Sequence, residues 1–257
     1  MIKWFEGTVI ENIEISPGIY KLILSAQDIV GMAKSGQFVN VYNNSEKHLL
    51  PRPISICEIN KEKGTLTLVY SVVGRGTNII SQIQPSESIK LMGPLGNGFE
   101  ITENHGESIL VGGGVGVPPL LELAKQLKGK TTVYLGFRTS TYLIEEFEKY
   151  CDKVYISTED GSRGIKGNVL DLLNDTLPKG KMVFSCGPKP MLRAVYNWAK
   201  DKSIPTQLSF EERMACGIGA CLVCTCKTQK ENENDWENRR VCKDGPVFLG
   251  DEVVWDD

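Results

Sequence analysis

Histidine is scarce in this chain of 257 residues, which contains only His48 and His105. The chain also has no Gly-x-Ser-x-Gly segment, the turn that presents a nucleophilic serine in many hydrolases. A Ser-His-Asp hydrolase or a histidine-rich metal site therefore has little to build on. These two absences disfavour hydrolysis as the function.

The chain also lacks an excess of one charge and a long apolar run. It has 29 Lys and Arg against 32 Asp and Glu, a net charge of −3, so no nucleic-acid partner is expected. No apolar run reaches the ~18 residues that span a membrane. The first residues, Met1 to Glu6, lack the apolar core of a secretion signal. We therefore expect a cytoplasmic protein with no membrane partner.

Cysteine, by contrast, is plentiful and clustered. Five of the eight cysteines lie between positions 216 and 242. Because the cytoplasm is reducing, such a group indicates a metal or redox site rather than a disulfide framework.

Residues 1–98 are predicted to form an antiparallel β-barrel domain. Short β-rich runs recur there and are separated by turn signals such as Lys63-Gly64. The predicted strands are 4–13, 20–24, 37–42, 54–59, 65–71 and 88–92, and 77–83 is a predicted short helix.

Residues 99–206 are predicted to form an α/β domain, because strands and helices alternate there and imply a parallel sheet. The predicted strands are 109–111, 132–135, 154–157 and 182–185, and the predicted helices are 118–127, 143–150, 169–173 and 190–200. Residues 207–257 form a third predicted unit, which contains the cysteine group and a charged loop over 227–240. The expected fold is thus a multidomain chain of β-barrel, Rossmann-like domain and small cluster domain.

A glycine-rich loop, Val111 to Pro119, lies between the first strand and the first helix of the α/β domain. Glycines there let the backbone approach a pyrophosphate, whose charge the free N–H groups of a helix N-terminus stabilise. A second loop, Ser185 to Pro188, follows a later strand at the same sheet edge, where open α/β sheets bind ligands. The alternatives are a tight turn without a ligand and a purely structural, buried Cys186.

The barrel region offers weaker candidates for binding a nucleotide cofactor. The Arg52 guanidinium suits a phosphate, the Ser55 hydroxyl suits a ring nitrogen, and the turn at Gly76 and Thr77 offers backbone donors. Taken singly, each of these residues also fits a solvent-exposed surface position.

The cysteine group has the spacing Cys-x4-Cys-x2-Cys with a fourth cysteine after 17 residues, which is typical of a plant-type 2Fe-2S cluster. The four candidate ligands are Cys216, Cys221, Cys224 and Cys242. Gly217 and Gly219 allow the loop to curl with its N–H groups toward the sulfurs. A four-thiolate zinc site is the alternative, but zinc favours two Cys-x2-Cys pairs and the second pair is missing. Cys226 has no predicted role.

The order of these motifs resembles that of the ferredoxin-NADP reductase superfamily. Arg-Pro-x-Ser in a barrel is followed by Gly-Gly-Gly-x-Gly-x-x-Pro and Cys-Gly-Pro in a nucleotide domain. The segments Glu-Arg-Met-Ala-Cys-Gly-Ile-Gly-Ala-Cys at 212–221 and Val-Cys-Lys-Asp-Gly-Pro at 241–246 are similar to those of the electron-transfer subunits of NAD-dependent (type B) dihydroorotate dehydrogenase. The resemblance covers essentially the whole chain.

The resemblance implies FAD on the barrel, a 2Fe-2S cluster on the four cysteines and NAD(H) on the α/β domain. FAD would contact Arg52, Pro53, Ile54, Ser55, Val69, Tyr70, Ser71, Gly76 and Thr77. NAD(H) would lie across Gly113, Gly114, Val115, Gly116 and Val117, with Cys186, Gly187 and Pro188 near its reactive ring. Cys186 is the candidate catalytic residue. Ile54 departs from the superfamily, where many members have a Tyr that stacks on the flavin.

The resemblance also implies a function in pyrimidine (UMP) biosynthesis. The chain would pass electrons between NAD and the FMN of a dihydroorotate dehydrogenase catalytic subunit, in a heterotetramer with two chains of each kind. A flavin is needed between nicotinamide and the cluster, because nicotinamide exchanges two electrons at once and the cluster accepts one at a time.

Two alternatives remain at this point. One is a related FAD/2Fe-2S subunit of an NADH-dependent ferredoxin:NADP oxidoreductase or a sulfide dehydrogenase, and the other is a zinc-binding interaction module. The second strand of the α/β domain ends near Arg138 and offers no acidic residue that would bind the ribose of NAD. A preference for NAD over NADP is therefore expected only from the resemblance.

Overall fold

The computed structural model describes residues 3–43, 49–102, 106–230 and 235–255. His48 and His105 lie outside the described residues. The strands form a closed barrel, a seven-stranded sheet and a two-stranded sheet. The predicted fold class, an antiparallel barrel followed by a mainly parallel sheet, is confirmed. No helix in the described ranges has the length and apolarity required to cross a membrane.

The barrel contains all six predicted strands. They are β1 (Lys3–Ser16), β2 (Ile19–Ser25), β3 (Phe38–Tyr42), β4 (Arg52–Asn60), β5 (Thr65–Ser71) and β6 (Ser88–Leu95). The barrel closes in the order β1-β2-β5-β4-β3-β6. Because successive side chains of a strand face opposite sides, alternate residues such as Leu22, Leu24, Leu66 and Leu68 are fully buried inside. Helix α1 (Gln27–Val30) was not predicted, and α2 (Arg75–Ser81) begins two residues before the predicted start.

The second unit alternates strands with helices, as predicted. Its strands are β7 (Ser108–Gly113), β8 (Thr131–Phe137), β9 (Lys153–Thr158), β10 (Ile165–Lys166) and β11 (Met182–Cys186). Its helices are α3 (Pro119–Gln126), α4 (Ile144–Glu148), α5 (Val169–Thr176) and α6 (Lys189–Lys200). The strands pair in parallel, so the loops after β7, β8, β9 and β11 share one edge of the sheet. Val195, Trp198 and Ala199 of α6 share one face of the helix and pack into the core of this unit.

The C-terminal part differs from the prediction in two respects. Its strands are β12 (Thr206–Ser209), β13 (Thr225–Gln229), β14 (Trp236–Arg240) and β15 (Val247–Leu249). Strands β12 and β15 extend the seven-stranded sheet, whose order is β10-β9-β8-β7-β11-β12-β15. The predicted boundary between 206 and 207 therefore falls inside β12, and the boundaries 1–98, 99–206 and 207–257 stay predictions. The charged segment 227–240 is largely paired rather than a loop, because β13 and β14 satisfy each other's backbone groups while their charged side chains remain outside.

The barrel and the parallel sheet share a buried contact. Glu122 of α3 is only 3% exposed, and its Oε2 accepts a hydrogen bond of 2.7 Å from the backbone N–H of Ile59 in β4. Lys125, one turn further on, forms an ion pair of 3.2 Å with Glu58. These contacts hold the two units together beside the loop that follows β7.

Candidate redox site

A cavity of 390 Å³ lies where the barrel, the parallel sheet and the cysteine segment meet. Its barrel lining includes Arg52, Pro53, Ile54, Ser55, Val69, Tyr70, Ser71 and Thr77. The structure therefore brings together eight of the nine residues predicted to contact FAD. The ninth, Gly76, lies against Arg52, because a Cβ atom on Gly76 would collide with the Arg52 guanidinium group.

Arg52 and Thr77 are held in place by main-chain groups. Arg52 Nη1 donates to the carbonyls of Leu50, at 2.7 Å, and Pro51, at 3.2 Å. These bonds leave Nε and Nη2 without a hydrogen-bond partner among the described residues. The Thr77 hydroxyl accepts from the N–H of Val73 at 3.0 Å and donates to the Gly74 carbonyl, so it shapes the turn. The cavity thus has a fixed cation at one side that is open to an anionic ligand.

Two residues of the cavity lining, Tyr70 and Ile54, have side chains that lie mostly in the barrel core rather than in the cavity. The Tyr70 ring packs in the barrel core and its hydroxyl donates to Asn12 Oδ1 at 3.2 Å. Burial raises the pKa of Tyr70 well above its usual value. Ile54 is also part of the barrel core, with 6% exposure. A ring placed in this cavity would meet aliphatic side chains rather than an aromatic partner at position 54.

The two predicted nucleotide loops lie in direct contact. Strands β7 and β11 are neighbours in the sheet, with Gly112 opposite Cys186. The backbone at Gly116 is so close to the second loop that a Cβ there would collide with the carbonyl group of Cys186. Gly114 has a φ of +52°, and its carbonyl accepts a hydrogen bond of 2.7 Å from the Tyr142 hydroxyl. Glycines are therefore needed here for close approach and for a left-handed backbone.

A second cavity, of 540 Å³, lies beside these loops. Its lining includes Gly113, Gly114, Arg138, Glu159, Asn168, Pro188 and Met191. Glu159, Asn168 and Met191 were missed by the sequence analysis. Glu159 directly follows β9. The sequence analysis looked for an acidic residue only at the end of β8, one strand earlier in the chain. Within the predicted loop, Val117 is buried in the core, and Val115 lines the barrel cavity instead.

Cys186 is a buried, neutral thiol in this arrangement. It is 1% exposed, and burial together with the nearby Glu211 carboxylate raises its pKa well above the usual value. A thiol in this state neither donates nor accepts a proton readily near neutral pH. The geometry supports a role in shaping the site, and the catalytic role of Cys186 stays a prediction.

The segment between β12 and the cysteine group also enters the barrel cavity, which the sequence analysis missed. Phe210, Glu211 and Met214 are among its lining residues. Glu211 is exposed to solvent, yet desolvation of its carboxyl group by the surrounding atoms raises its pKa. These residues arrive there because β12 lies beside β11, so the chain leaves the sheet at the edge where the loops meet.

The four predicted ligand cysteines are free thiols that lie as two neighbouring pairs. The backbone N–H of Cys242 donates to Cys224 Sγ at 3.4 Å, and Cys221 lies close enough to Cys216 to help lower the pKa of its thiol. No group of three or more His, Cys, Asp or Glu side chains in the described part of the chain could hold a single metal ion. Two thiolates for each of two irons is the ligand arrangement of a 2Fe-2S cluster, so the donor set fits that group.

Backbone N–H groups of the same loop point at these sulfurs. Cys216 Sγ accepts from Ile218 at 3.4 Å and Ala220 at 3.3 Å, and Cys242 Sγ accepts from Gly219 at 3.2 Å. Burial opposes ionisation of Cys216, but these and neighbouring hydrogen bonds lower its pKa to about 6. Burial, with the adjacent Cys224 thiol, raises the pKa of Cys242 to about 12. The curl predicted from Gly217 and Gly219 is present, since both have positive φ.

One side of the cysteine loop faces solvent. Cys221 is exposed, and the apolar residues beside it are exposed as well: Ile218 by 40%, Leu222 by 64% and Val223 by 54%. Cys224 and Cys242 are each only 2% exposed. The loop thus has a buried side toward the barrel and an open apolar side.

Solved structures of ferredoxin reductases share this fold. A chain of the NADH-dependent reduced ferredoxin-NADP oxidoreductase, solved in work on flavin-based electron bifurcation, superposes with a TM-score of 0.85 at 30% identity, covering 97% of this chain and 90% of that one. The ferredoxin-NADP+ reductase of Plasmodium falciparum shares the fold, with a TM-score of 0.62 at 16% identity over 77% of this chain and 89% of that one.

Sequence relatives narrow the class further. The family described as the oxidoreductase FAD-binding domain matches residues 6–99, and the iron-sulfur cluster binding domain of dihydroorotate dehydrogenase B matches residues 211–254. The proteins named dihydroorotate dehydrogenase B (NAD(+)), electron transfer subunit, are 41% identical in Clostridium perfringens, over 98% of both chains, and 43% identical in Clostridium acetobutylicum, over 99% of both. The chain belongs to this family of dihydroorotate dehydrogenase B electron-transfer subunits.

Proposed function

We propose that this chain transfers electrons between NAD(H) and the FMN of a dihydroorotate dehydrogenase catalytic subunit, through bound FAD and a 2Fe-2S cluster, in UMP biosynthesis. The observation that carries the proposal is the barrel cavity of 390 Å³. Residues of the barrel, Val115 of the glycine loop and Met214 of the cysteine segment all line it. When bound, FAD supplies the conversion between the two-electron chemistry of nicotinamide and the one-electron chemistry of the cluster.

In this proposal the barrel holds FAD through a fixed cation and an apolar wall. Arg52 Nε and Nη2, which have no partner among the described residues, would bind the pyrophosphate, beside the backbone donors of Gly76 and Thr77. The residues that would hold the cofactor ring are Pro53, Ile54, Ser55 and the run from Val69 to Ser71. Tyr70 takes part only through its main chain, since its ring is in the barrel core.

NAD(H) is assigned to the cavity beside the loops after β7 and β11. Gly113, Gly114 and Pro188 line this cavity and would form its floor. The remaining residues of the runs 113–117 and 186–188 would hold these three in place from behind. The neutral thiol of Cys186 is 1% exposed and would support this floor from beneath as a small, uncharged side chain.

The four cysteines are assigned to the cluster, with one pair of thiolates for each iron. This division favours a 2Fe-2S cluster over zinc, because a structural zinc ion needs four ligands around one point. Cys226 is 5% exposed, and burial raises its pKa to about 11, so it is a buried thiol outside the ligand set.

The exposed apolar side of the cysteine loop is assigned to the catalytic subunit, in a heterotetramer with two chains of each kind. The assignment places the cluster between the FAD cavity and the partner. We further assign FAD to residues 1–98, NAD(H) to 99–206 and the cluster to 207–257, with β12 and β15 of the last unit completing the nucleotide sheet. A cytoplasmic location accords with eight free cysteines.

The test is to purify the chain anaerobically with its partner and to measure reduction of NAD⁺ by dihydroorotate. Cys221→Ser should leave reduction of FAD by NADH intact and abolish electron transfer to the partner FMN. Cys226→Ser is the matched control and should keep both activities. If the Cys221→Ser complex still reduces the partner FMN with NADH, the cluster relay is wrong. A yellow-brown protein that NADH bleaches, without dihydroorotate activity, would instead indicate the complex of the ferredoxin:NADP oxidoreductase type.

A further inference from the structure

Arg240, at the end of β14, forms a two-pronged ion pair within the cluster segment. Its Nε donates to Asp244 Oδ2 at 2.8 Å and its Nη2 donates to Oδ1 at 3.1 Å. Asp244 Oδ2 also accepts from the backbone N–H of Arg240 at 2.8 Å. The two side chains are 29% and 24% exposed. A planar guanidinium held by both carboxylate oxygens has little freedom to rotate.

The third nitrogen of this guanidinium reaches the cysteine loop. Arg240 Nη1 donates to the carbonyl of Gly219 at 3.3 Å. The peptide unit that begins with this carbonyl ends with the N–H of Ala220, which donates to Cys216 Sγ at 3.3 Å. Carbonyl and N–H of a trans peptide point in opposite directions, so a contact that fixes the carbonyl also aims the N–H. Hydrogen bonds in such a chain also polarise one another.

The loop is closely packed at this point. Gly219 has a φ of +82°, and a Cβ atom there would come within 2.6 Å of Lys243 Cδ. The N–H of Gly219 itself donates to Cys242 Sγ at 3.2 Å. Gly219 therefore links two of the four sulfurs to the segment that carries Arg240 and Asp244.

We propose that Arg240 is a positioning residue for the cluster, acting through the Gly219–Ala220 peptide to direct an N–H group at the Cys216 sulfur and so raise the reduction potential of the cluster. The inference rests on the proposed function, in which Cys216 is a cluster ligand. N–H donors to the sulfurs stabilise the reduced, more negative cluster. The charge of Arg240 is largely balanced by Asp244, so the effect acts mainly through this hydrogen bond.

The test is an EPR-monitored redox titration of the complete complex, with iron and sulfide analysis of every variant. Arg240→Gln and Arg240→Lys each remove the two-pronged ion pair with Asp244. Asp244→Asn loosens it while leaving the arginine in place. Arg239→Gln is the matched charge control, since Arg239 is the neighbouring residue and pairs with Glu252 at 3.3 Å rather than with the loop.

We expect Arg240→Gln to lower the equilibrium constant for reducing the cluster about tenfold, a downward shift of about 59 mV for one electron. Arg240→Lys and Asp244→Asn should shift the potential in the same direction, and Arg239→Gln should leave it near that of the wild type. Asp244→Asn is decisive. Loss of a negative charge alone would raise the potential, whereas loss of the ion pair that orients Arg240 toward the Gly219 carbonyl lowers it.

An unchanged potential in Arg240→Lys, or a raised one in Asp244→Asn, overturns the proposal in favour of a simple charge effect. If Arg240→Gln fails to retain iron, the reduction potential of Arg240→Lys decides between the proposed positioning role and a simple charge effect. A wild-type complex that shows no 2Fe-2S EPR signal would overturn the proposed function itself, not only the role of Arg240.

Discussion

Substitution of Gly116 by alanine tests whether contact between the two nucleotide loops sets the NAD(H) site. The added methyl group would collide with the carbonyl of Cys186 and lie 2.5 Å from the backbone nitrogen of Gly187. Both neighbours are backbone atoms, which cannot rotate away as a side chain can. Because nonbonded atoms rest about 3.5 Å apart, the loops must separate by about 1 Å.

A displacement of that size has a measurable effect on function. Overpacking typically costs about 1–3 kcal/mol, and a 1 Å misplacement of bound groups can cost about 100-fold in rate. We therefore expect Gly116→Ala to slow reduction of FAD by NADH about 10- to 100-fold and to weaken NADH binding. FAD content and the EPR signal of the cluster should stay unchanged, because the barrel residues assigned to FAD and the four cysteines assigned to the cluster lie outside these two loops. Stopped-flow absorbance at the flavin band measures the rate.

Gly31→Ala is the matched control for adding a methyl group. Gly31 follows helix α1 in the barrel, has a φ of −64°, and the position of an added Cβ atom has only the Gln27 carbonyl oxygen near it, at 4.0 Å. Gly31 lies outside both assigned cofactor sites, so this variant should keep the wild-type rate. An unchanged rate in Gly116→Ala would refute the reasoning. Equal losses in both variants would show that loss of a glycine, and not the collision, matters.

The remaining predictions concern two carboxylates. Burial raises the pKa of Glu122 in the folded state, so the carboxyl group stabilises the fold below its ordinary pKa and this stabilisation is lost as pH rises through the raised value. Urea unfolding should therefore show the wild type losing stability relative to Glu122→Gln as the pH rises from the ordinary pKa of glutamate, about 4.3, through the raised value; parallel curves would contradict this. Glu159 lines the nucleotide cavity, where its carboxylate would repel a 2′-phosphate. Glu159→Gln should therefore raise kcat/KM for NADPH by about fivefold, roughly 1 kcal/mol, with little change for NADH. An unaltered NADPH-to-NADH ratio would exclude that role.

Local sequence signals predicted those parts of the protein that depend on neighbouring residues. Strand β5 has the predicted bounds, 65–71, because its β-branched and apolar residues, which alternate between half-buried and buried over 65–68, are a property of the run itself. The spacing of Cys216, Cys221 and Cys224 likewise predicted a curled loop, and the N–H groups of that loop do point at sulfur. Spacing along a short loop is limited by covalent geometry, so little else can change it.

The failures lie where the outcome depends on distant partners. Segment 225–229 is a strand only because segment 236–240 pairs with it, and no periodicity of its own marks it as β. Strand β15 pairs with β12, about 40 residues earlier, so the cluster segment returns to the nucleotide sheet. A short run becomes a strand when it finds a sheet edge to pair with, and the edge belongs to the tertiary fold.

The sequence by itself determined the kinds of chemistry available here: a thiolate loop for a cluster, a glycine loop for a dinucleotide and an arginine for a phosphate. Only the tertiary structure decided how these parts meet. It placed Gly116 against Cys186, Met214 in the barrel cavity and Arg240 on the carbonyl of Gly219. The physical reason is that residue type and spacing are fixed along the chain, whereas contacts between remote segments follow from the packing of the whole core.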